Sequence, residues 1–292
     1  MKVSMPIKRI LGFNLYNILR FLRYKLKLPK SKSLKRISFN KSFTDALVLG
    51  NGPSLAEDRE RILKLSKTCD TICVNNFADS DLFIKLRPKI CILIDSYFFL
   101  KKGVHEDFIH QREKTFQKIN DHTDWEMTLL LPPQADVKFF REYIKNTNIH
   151  ITRLSTVSVD IKNAWARNKV FDTGNFGPFQ GNVLIYSIYS AILLGYKNIN
   201  IFGADLNFHK LVDVNQNTNE TEIIYKHFNS KDETERFLKN PAKKEIHTML
   251  EFMELTYLIY KAHYELEQFS NYKGCCIKNL SSYSLIDCYS RS

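Results

Sequence analysis

The chain has 292 residues, 44% of them hydrophobic, and a formal charge of +12, which is too apolar for disorder and enough for one large α/β domain or two small ones. Twelve of the 43 Lys and Arg lie in residues 1–44, which hold no Asp or Glu, leaving 31 basic residues to match the 31 acidic ones in the remainder. A body without excess positive charge argues against the basic face that nucleic acid requires, so nucleic acid is set aside as a partner.

Residues 7–28 read IKRILGFNLYNILRFLRYKLKL, with Ile7, Ile10, Leu11, Ile18, Leu19 and Leu22 at helical spacing and Arg9, Arg20, Arg23, Lys25 and Lys27 among them. The apolar core is too interrupted for a signal peptide and too charged for a membrane span. A basic amphipathic helix on an anionic membrane surface is expected, the alternatives being a helix packed on the body or a loose basic tail. Lys30–Ser33 reads as a linker, so residues 1–36 form a membrane-surface segment and residues 37–292 the α/β domain.

Beyond residue 45 the pattern becomes strand, turn, helix, repeatedly. Strands are expected at Ala46–Leu49, Thr71–Val74, Ile90–Ile94 and Asn198–Phe202, with weaker ones at Thr128–Leu131, His150–Leu154 and Cys276–Leu280. Helices are expected at Asp58–Ser66, at the apolar stretch Asn182–Leu194, and along Lys243–Phe269. The polar run at residues 212–222 is expected to be a mobile loop. Strands alternating with helices predict a Rossmann-like, mostly parallel sheet covered on both faces. The six cysteines lack zinc spacing, and Cys73 and Cys91 lie in apolar runs, so they read as reduced, intracellular thiols.

Ligands of such sheets bind beyond the carboxyl ends of the strands. After the first strand comes Gly50-Asn51-Gly52-Pro53-Ser54. Gly50 and Gly52 permit a sharp turn and close approach, free amides there suit a phosphate, and the Asn51 side chain can donate to a phosphate or ribose oxygen. The stretch lacks GK[ST] and a third glycine, so it is neither a Walker A loop nor a dinucleotide fingerprint, and a plain turn is the competing reading. Asn75-Asn76, Asp95-Ser96, Gly181-Asn182 and Gly203-Ala204-Asp205 stand at comparable ends. Each alone could be a helix cap, but together they suggest a polar rim for a nucleotide.

GNGPSL, VNNF and LLGYKNINIFGADLNF, in that order, resemble the bacterial sialyltransferases of glycosyltransferase family 42. The layout is shared with flagellin (Maf) glycosyltransferases and archaeal hydroxymethylpterin pyrophosphokinases. KHFN at residues 226–229 and KNLSSYSLIDCYSR at 278–291 resemble a variant from surface-polysaccharide loci. The resemblance covers roughly residues 45–291 and implies a GT-A-type fold acting on a CMP-activated nonulosonic acid, with inversion and no obligatory metal. It implies that Gly50, Asn51, Gly52 and Ser54 touch the cytidine phosphate and ribose, and that Asn75 or Asn76 touches the phosphate or sugar. Two features depart from the family. Gly181-Asn182-Val183 stands where it has Thr-Ser-Gly, and no His stands near Pro241-Ala242, where its catalytic His lies.

Inverting transfer needs a base for the acceptor hydroxyl, and His titrates near working pH. His227 is the first choice, His209 the second and His247 the third; Asp205 is a candidate to orient ribose or acceptor, and Tyr225 to hydrogen-bond the leaving phosphate. Asp79-Ser80-Asp81 spells a DxD metal motif but sits at an expected helix start, where such residues serve as caps. The expected protein is a metal-independent glycosyltransferase peripheral to the inner face of a bacterial membrane. Its partners are a CMP-sugar donor, a glycan or glycolipid acceptor and the anionic membrane bound through residues 7–28. The rivals are an ATP- and Mg²⁺-dependent pterin pyrophosphokinase and a non-catalytic nucleotide-binding protein docked to a membrane.

Overall fold

The apolar runs that alternate with helical segments form strands. In the computed structural model, which describes residues 12–27, 39–154, 156–225, 233–240 and 245–291, α1 (Phe13–Lys27) precedes β1 (Ala46–Leu49), α2 (Arg59–Leu65) and β2 (Asp70–Val74). Then come α3 (Leu82–Leu86), β3 (Ile90–Ile92), α4 (Ser96–Phe99), α5 (Glu106–His122), β4 (Met127–Leu131), α6 (Val137–Tyr143) and β5 (Ile149–Arg153). β6 (Val157–Ser158) pairs with β7 (Phe176–Gly177) around α7 (Ala164–Phe171), and α8 (Val183–Leu193) leads to β8 (Asn198–Phe202). β9 (Val212–Val214), β10 (Thr221–Tyr225) and β11 (Glu233–Arg236) form a small antiparallel sheet, and β12 (Leu238–Asn240) pairs with β13 (Glu245–Ile246). α9 (Met249–Lys273) and β14 (Cys276–Asn279) follow.

The main sheet has the order β14-β8-β1-β2-β3-β4-β5, and every adjacent pair is parallel. The chain winds from β1 out to β5, then returns to lay β8 against the other side of β1. That reversal makes β1/β8 the topological switch point. Successive strand residues feed opposite faces. Val48, Ile72, Ile92 and Ile201 join one core beneath α8 and α9, while Leu47, Leu49, Cys73, Cys91 and Phe202 join the other. With both faces covered, β1 (ALVL) and β3 (ICI) are apolar throughout, as strands inside a parallel sheet are, whereas the edge strands β5 and β14 carry His150, Arg153 and Lys278. Each fully buried aliphatic side chain contributes about 1.5–3 kcal/mol.

α8 is buried almost all round, and its hydroxyls stay satisfied within the helix: Ser187 Oγ donates to Val183 O and Ser190 Oγ to Tyr186 O. The long helix starts at Met249 rather than Lys243, because Thr248 and Glu251 form a capping box there. It runs to Lys273 and ends on Gly274 in the left-handed region at φ 65°. The expected loop at residues 212–222 is instead β9 and β10 joined by a turn, where the Asn215 side chain accepts from the amides of Asn217 and Thr218.

α1 packs on the body. The Asn14 amide donates to Asp160 O at 2.5 Å while Asp160 N–H donates to Asn14 Oδ1 at 2.6 Å. Asn17 is buried, and the Phe21 ring lies 4.8 Å from that of Phe176. No helix among the described residues is long and apolar enough to cross a membrane. The Lys30–Ser33 linker and His227 lie outside the described residues.

Candidate active site

The turn after β1 lies against the end of β8. Gly50 N–H donates to Phe202 O at 2.9 Å and Gly52 N–H to Gly203 O at 3.0 Å. A Cβ on Gly50 would collide with the Gly203 carbonyl, and one on Gly52 with the Asp205 carboxylate. The two glycines therefore permit an approach of chain to chain, and their amides, expected to be free for an anion, are already used. Gly203 adopts φ 65°, and a Cβ there would meet Leu55 Cγ at 2.6 Å. Pro53 opens a 3-10 turn, Pro53–Leu55. In it Ser54 Oγ donates to Asp205 Oδ1 at 2.6 Å and Ser54 N–H to Oδ2 at 3.1 Å. Burial pushes the Asp205 carboxyl up and the Ser54 bonds oppose it. Expected at a ribose or acceptor, Asp205 is instead occupied as a buried clasp across the switch point.

The Asn-x-Ser piece near the C-terminus completes this lock. Ala204 N–H donates to Ser281 Oγ, Ser284 Oγ donates to Ala204 O, and the Asn279 amide donates to Ser284 Oγ at 2.7 Å. Asn279 is wholly buried.

One strand further along, the rim stays open. The Asn51 amide reaches Val74 O at 3.4 Å, joining the ends of β1 and β2. Asn75 is left-handed at φ 44°, a conformation Asn tolerates better than most residues. Its Nδ2 donates to Asp95 Oδ2 at 2.7 Å, and its Oδ1 accepts from Ile94 N–H. Asp95 is open to water yet ringed by protein, and the lost solvation pushes its carboxyl up to about 6. Ser96, exposed, begins α4. Asn76 turns away: its side-chain oxygen accepts from Tyr97 and Thr115 hydroxyls beside α5, which removes it from the rim.

Ile94 leads into a cavity of about 270 Å³. Pro132 and Gln134 beyond β4, Ser158 of β6, and Phe179 and Gln180 ahead of α8 form its walls; Tyr16, Asn17 and Arg20 of α1 close it. Among the described residues Arg20 is the only charged one in this lining. Gln180 Nε2 is buried with no hydrogen-bond partner among the described residues, and a buried donor left unpaired calls for a ligand or water acceptor. Gly181 turns the chain past the Phe179 ring, and Asn182 caps α8 by accepting from Leu184 N–H at 2.8 Å. Gln180, Ser158, Gln134 and the α1 residues were not singled out from the sequence. The one available signal was the helix start at Gly181-Asn182, directly after Gln180.

The described histidines stand apart from this lining. His209 lies in the 3-10 turn Phe208–Leu211, its ring about 6 Å from those of Phe208 and Tyr260. Burial, and then Lys210, hold its pKa below the usual value, and Nδ1 is buried without a partner among the described residues. His247 stacks on Phe237 at 4.6 Å. Tyr225 closes β10. The DxD carboxylates diverge: Asp79 faces Thr115 and Lys118, whereas Asp81 pairs with Arg59 and Lys85. Among the described residues no three His, Cys, Asp or Glu side chains gather as a metal site.

No family model matches the chain, and no curated protein matches it in sequence. Among solved structures it is similar to the MAf glycosyltransferase from Magnetospirillum magneticum AMB-1, with 13% identity and a TM-score of 0.45. The alignment takes in 88% of this chain and 36% of that one, so the chain spans about a third of the length of that neighbour. The neighbour is a glycosyltransferase by its own description.

Proposed function

We propose that the chain is an inverting, metal-independent glycosyltransferase that moves a sugar from a nucleotide-activated donor to a glycan carried on a lipid. A CMP-linked nonulosonic acid is the donor class its motifs resemble. The observation that best supports this reading is Asp95: a carboxyl held by Asn75 at the carboxyl edge of the sheet, beside a polar cavity, with lost solvation pushing it up to about 6. A raised carboxyl is a stronger base than an ordinary one and remains mostly ionised at pH 7. It takes the acceptor hydroxyl proton as the new glycosidic bond forms and the bond to the nucleotide phosphate breaks. Arg20 meets the charge that develops on the departing phosphate, and the unpaired Gln180 amide donates to donor oxygens. Asn51 serves the nucleotide from the β1 side. His227 was the first expectation for the base, and Asp95 takes that role here.

The test is a thermal-shift panel of CMP, CDP, UDP, GDP and ATP, each with and without Mg²⁺. A nucleotide at 100 times its Kd adds about 2.7 kcal/mol. Stabilisation by CMP, indifferent to Mg²⁺, is expected, together with slow hydrolysis of a CMP-sugar that Asp95→Asn lowers about 100-fold in kcat while CMP binding stays. Stabilisation by ATP with Mg²⁺ alone would replace this reading with phosphoryl transfer. CMP binding without turnover in the presence of donor and acceptor would leave a nucleotide-binding protein.

A further inference from the structure

α1 has two opposite faces. Asn14, Asn17 and Phe21 face the body. Leu15, Ile18, Leu19, Leu22 and Leu26 face away, from 40% exposed at Ile18 to 84% at Leu26. At 100° per residue these five fall within an arc of about 100°, a continuous apolar stripe where a water-facing helix carries polar residues. Arg23 runs beside the stripe, while Arg20 lies toward the cavity. The stretch around the helix is charged in one sense only, with twelve cations and no anion in residues 1–44.

The helix is also fixed to its surroundings on this side of the molecule. Asp160, bonded to Asn14, receives an ion pair from Lys261 of α9 at 2.6 Å. Tyr257 and Tyr264, one turn to either side of Lys261, are exposed, and so is Trp165, five residues beyond Asp160. Tyr and Trp with one wet end are the residues that settle at a lipid–water boundary.

We propose that α1 docks the protein on an anionic phospholipid surface through this stripe while its inner face stays on the body, so that the cavity it closes is held close to the membrane. Charge decides the occupant. A second copy would bring a second cation-only segment against the first, whereas anionic headgroups attract every one of these cations. The inference stands on the helix and its charge and does not depend on sugar transfer, but it accounts for how a lipid-borne acceptor would reach the cavity.

The test is co-sedimentation of the full chain with phosphatidylcholine vesicles, with and without about 30% phosphatidylglycerol, at about 0.1 M and about 0.5 M NaCl. Binding to the anionic vesicles alone is expected, weakened by the higher salt. Leu19→Glu/Leu22→Glu is expected to weaken it about tenfold or more, since an interfacial helix is held by its buried apolar area. Both leucines are exposed, so the thermal midpoint is expected to hold; should it fall, Leu15→Ser/Leu26→Ser takes their place. Absence of pelleting, or equal pelleting of wild type and variants, overturns the proposal. So does light scattering that shows a wild-type dimer converted to monomer by the same substitutions, because a second copy would then own the stripe. None of these outcomes bears on nucleotide binding, which the thermal-shift panel reads separately.

Discussion

The carboxyl edge of the sheet has two halves that treat polar residues in opposite ways. Along β14, β8 and β1 the polar groups satisfy one another: Asp205 takes Ser54 twice, Ala204 is held by Ser281 and Ser284, and the glycine amides are bonded to the end of β8. Along β2, β3 and β4 they are left with capacity: the Asp95 carboxyl is raised, and next to it lies a cavity into which α8's approach brings Gln180, whose Nε2 has no partner among the described residues. The residue types that resemble a ligand cradle most closely, Gly50-Asn51-Gly52 and Gly203-Ala204-Asp205, serve chiefly to shut the switch point. The open polar groups stand at the neighbouring strand ends, where the proposed chemistry is placed.

Breaking the locked half has the largest effect. Gly50→Ala drives a methyl into the Gly203 carbonyl, which cannot retreat without parting β1 from β8, and is expected to cost about 3 kcal/mol in urea unfolding. An unchanged midpoint would mean that the two strand ends are not clasped. Asp205→Ala leaves the Ser54 amide and hydroxyl buried and unpaired, at about 2 kcal/mol. If it spared stability and abolished nucleotide binding, Asp205 would belong to the open half instead. Arg20→Ala acts in the reverse sense: it is expected to leave the unfolding midpoint in place and weaken nucleotide binding about tenfold, or 1.4 kcal/mol, by titration calorimetry.

The contrast is also read through pH. The folded Asp95 holds its proton up to about 6, whereas unfolded it releases it near 3.8. Between those values the folded state binds more protons than the unfolded one, so this group makes stability fall as pH rises through the window. Asp95→Asn is expected to remove that fall. Unfolding curves at several pH values read it, and an identical slope in wild type and variant would put Asp95 at its ordinary pKa.

The strands were legible where they are buried on both faces. Ala46–Leu49 and Asn198–Phe202 are continuous runs, and their bounds match the sequence reading to the residue. α5 was missed although it has seventeen residues, because its core positions include polar side chains that hide the period. There Arg112 is buried with its guanidinium on the carbonyls of Tyr97 and Leu100, and Thr115 bonds to Gln111 O. At the site, the sequence identified where glycines are needed and not what they make room for. A missing Cβ admits a phosphate or another carbonyl equally well, and only the fold shows that Gly203 fills the space. The cavity was beyond reach for a different reason. Its roof at Arg20 and its wall at Gln180 lie far apart in the chain, and nothing in their spacing says that they meet.

The lock has a consequence for how the protein is made. Ser54 and Asp205 are 151 positions apart. At bacterial or eukaryotic synthesis rates of about 5–20 residues per second, on the order of ten seconds separate their appearance at the ribosome. During that time β1 has β2 on one side and no neighbour on the other, so the nascent chain carries an open, apolar strand edge able to pair with another chain. The open half of the sheet edge is laid down first and its fastener last. Recovery of soluble protein is therefore set by how well that edge is shielded until β8 arrives.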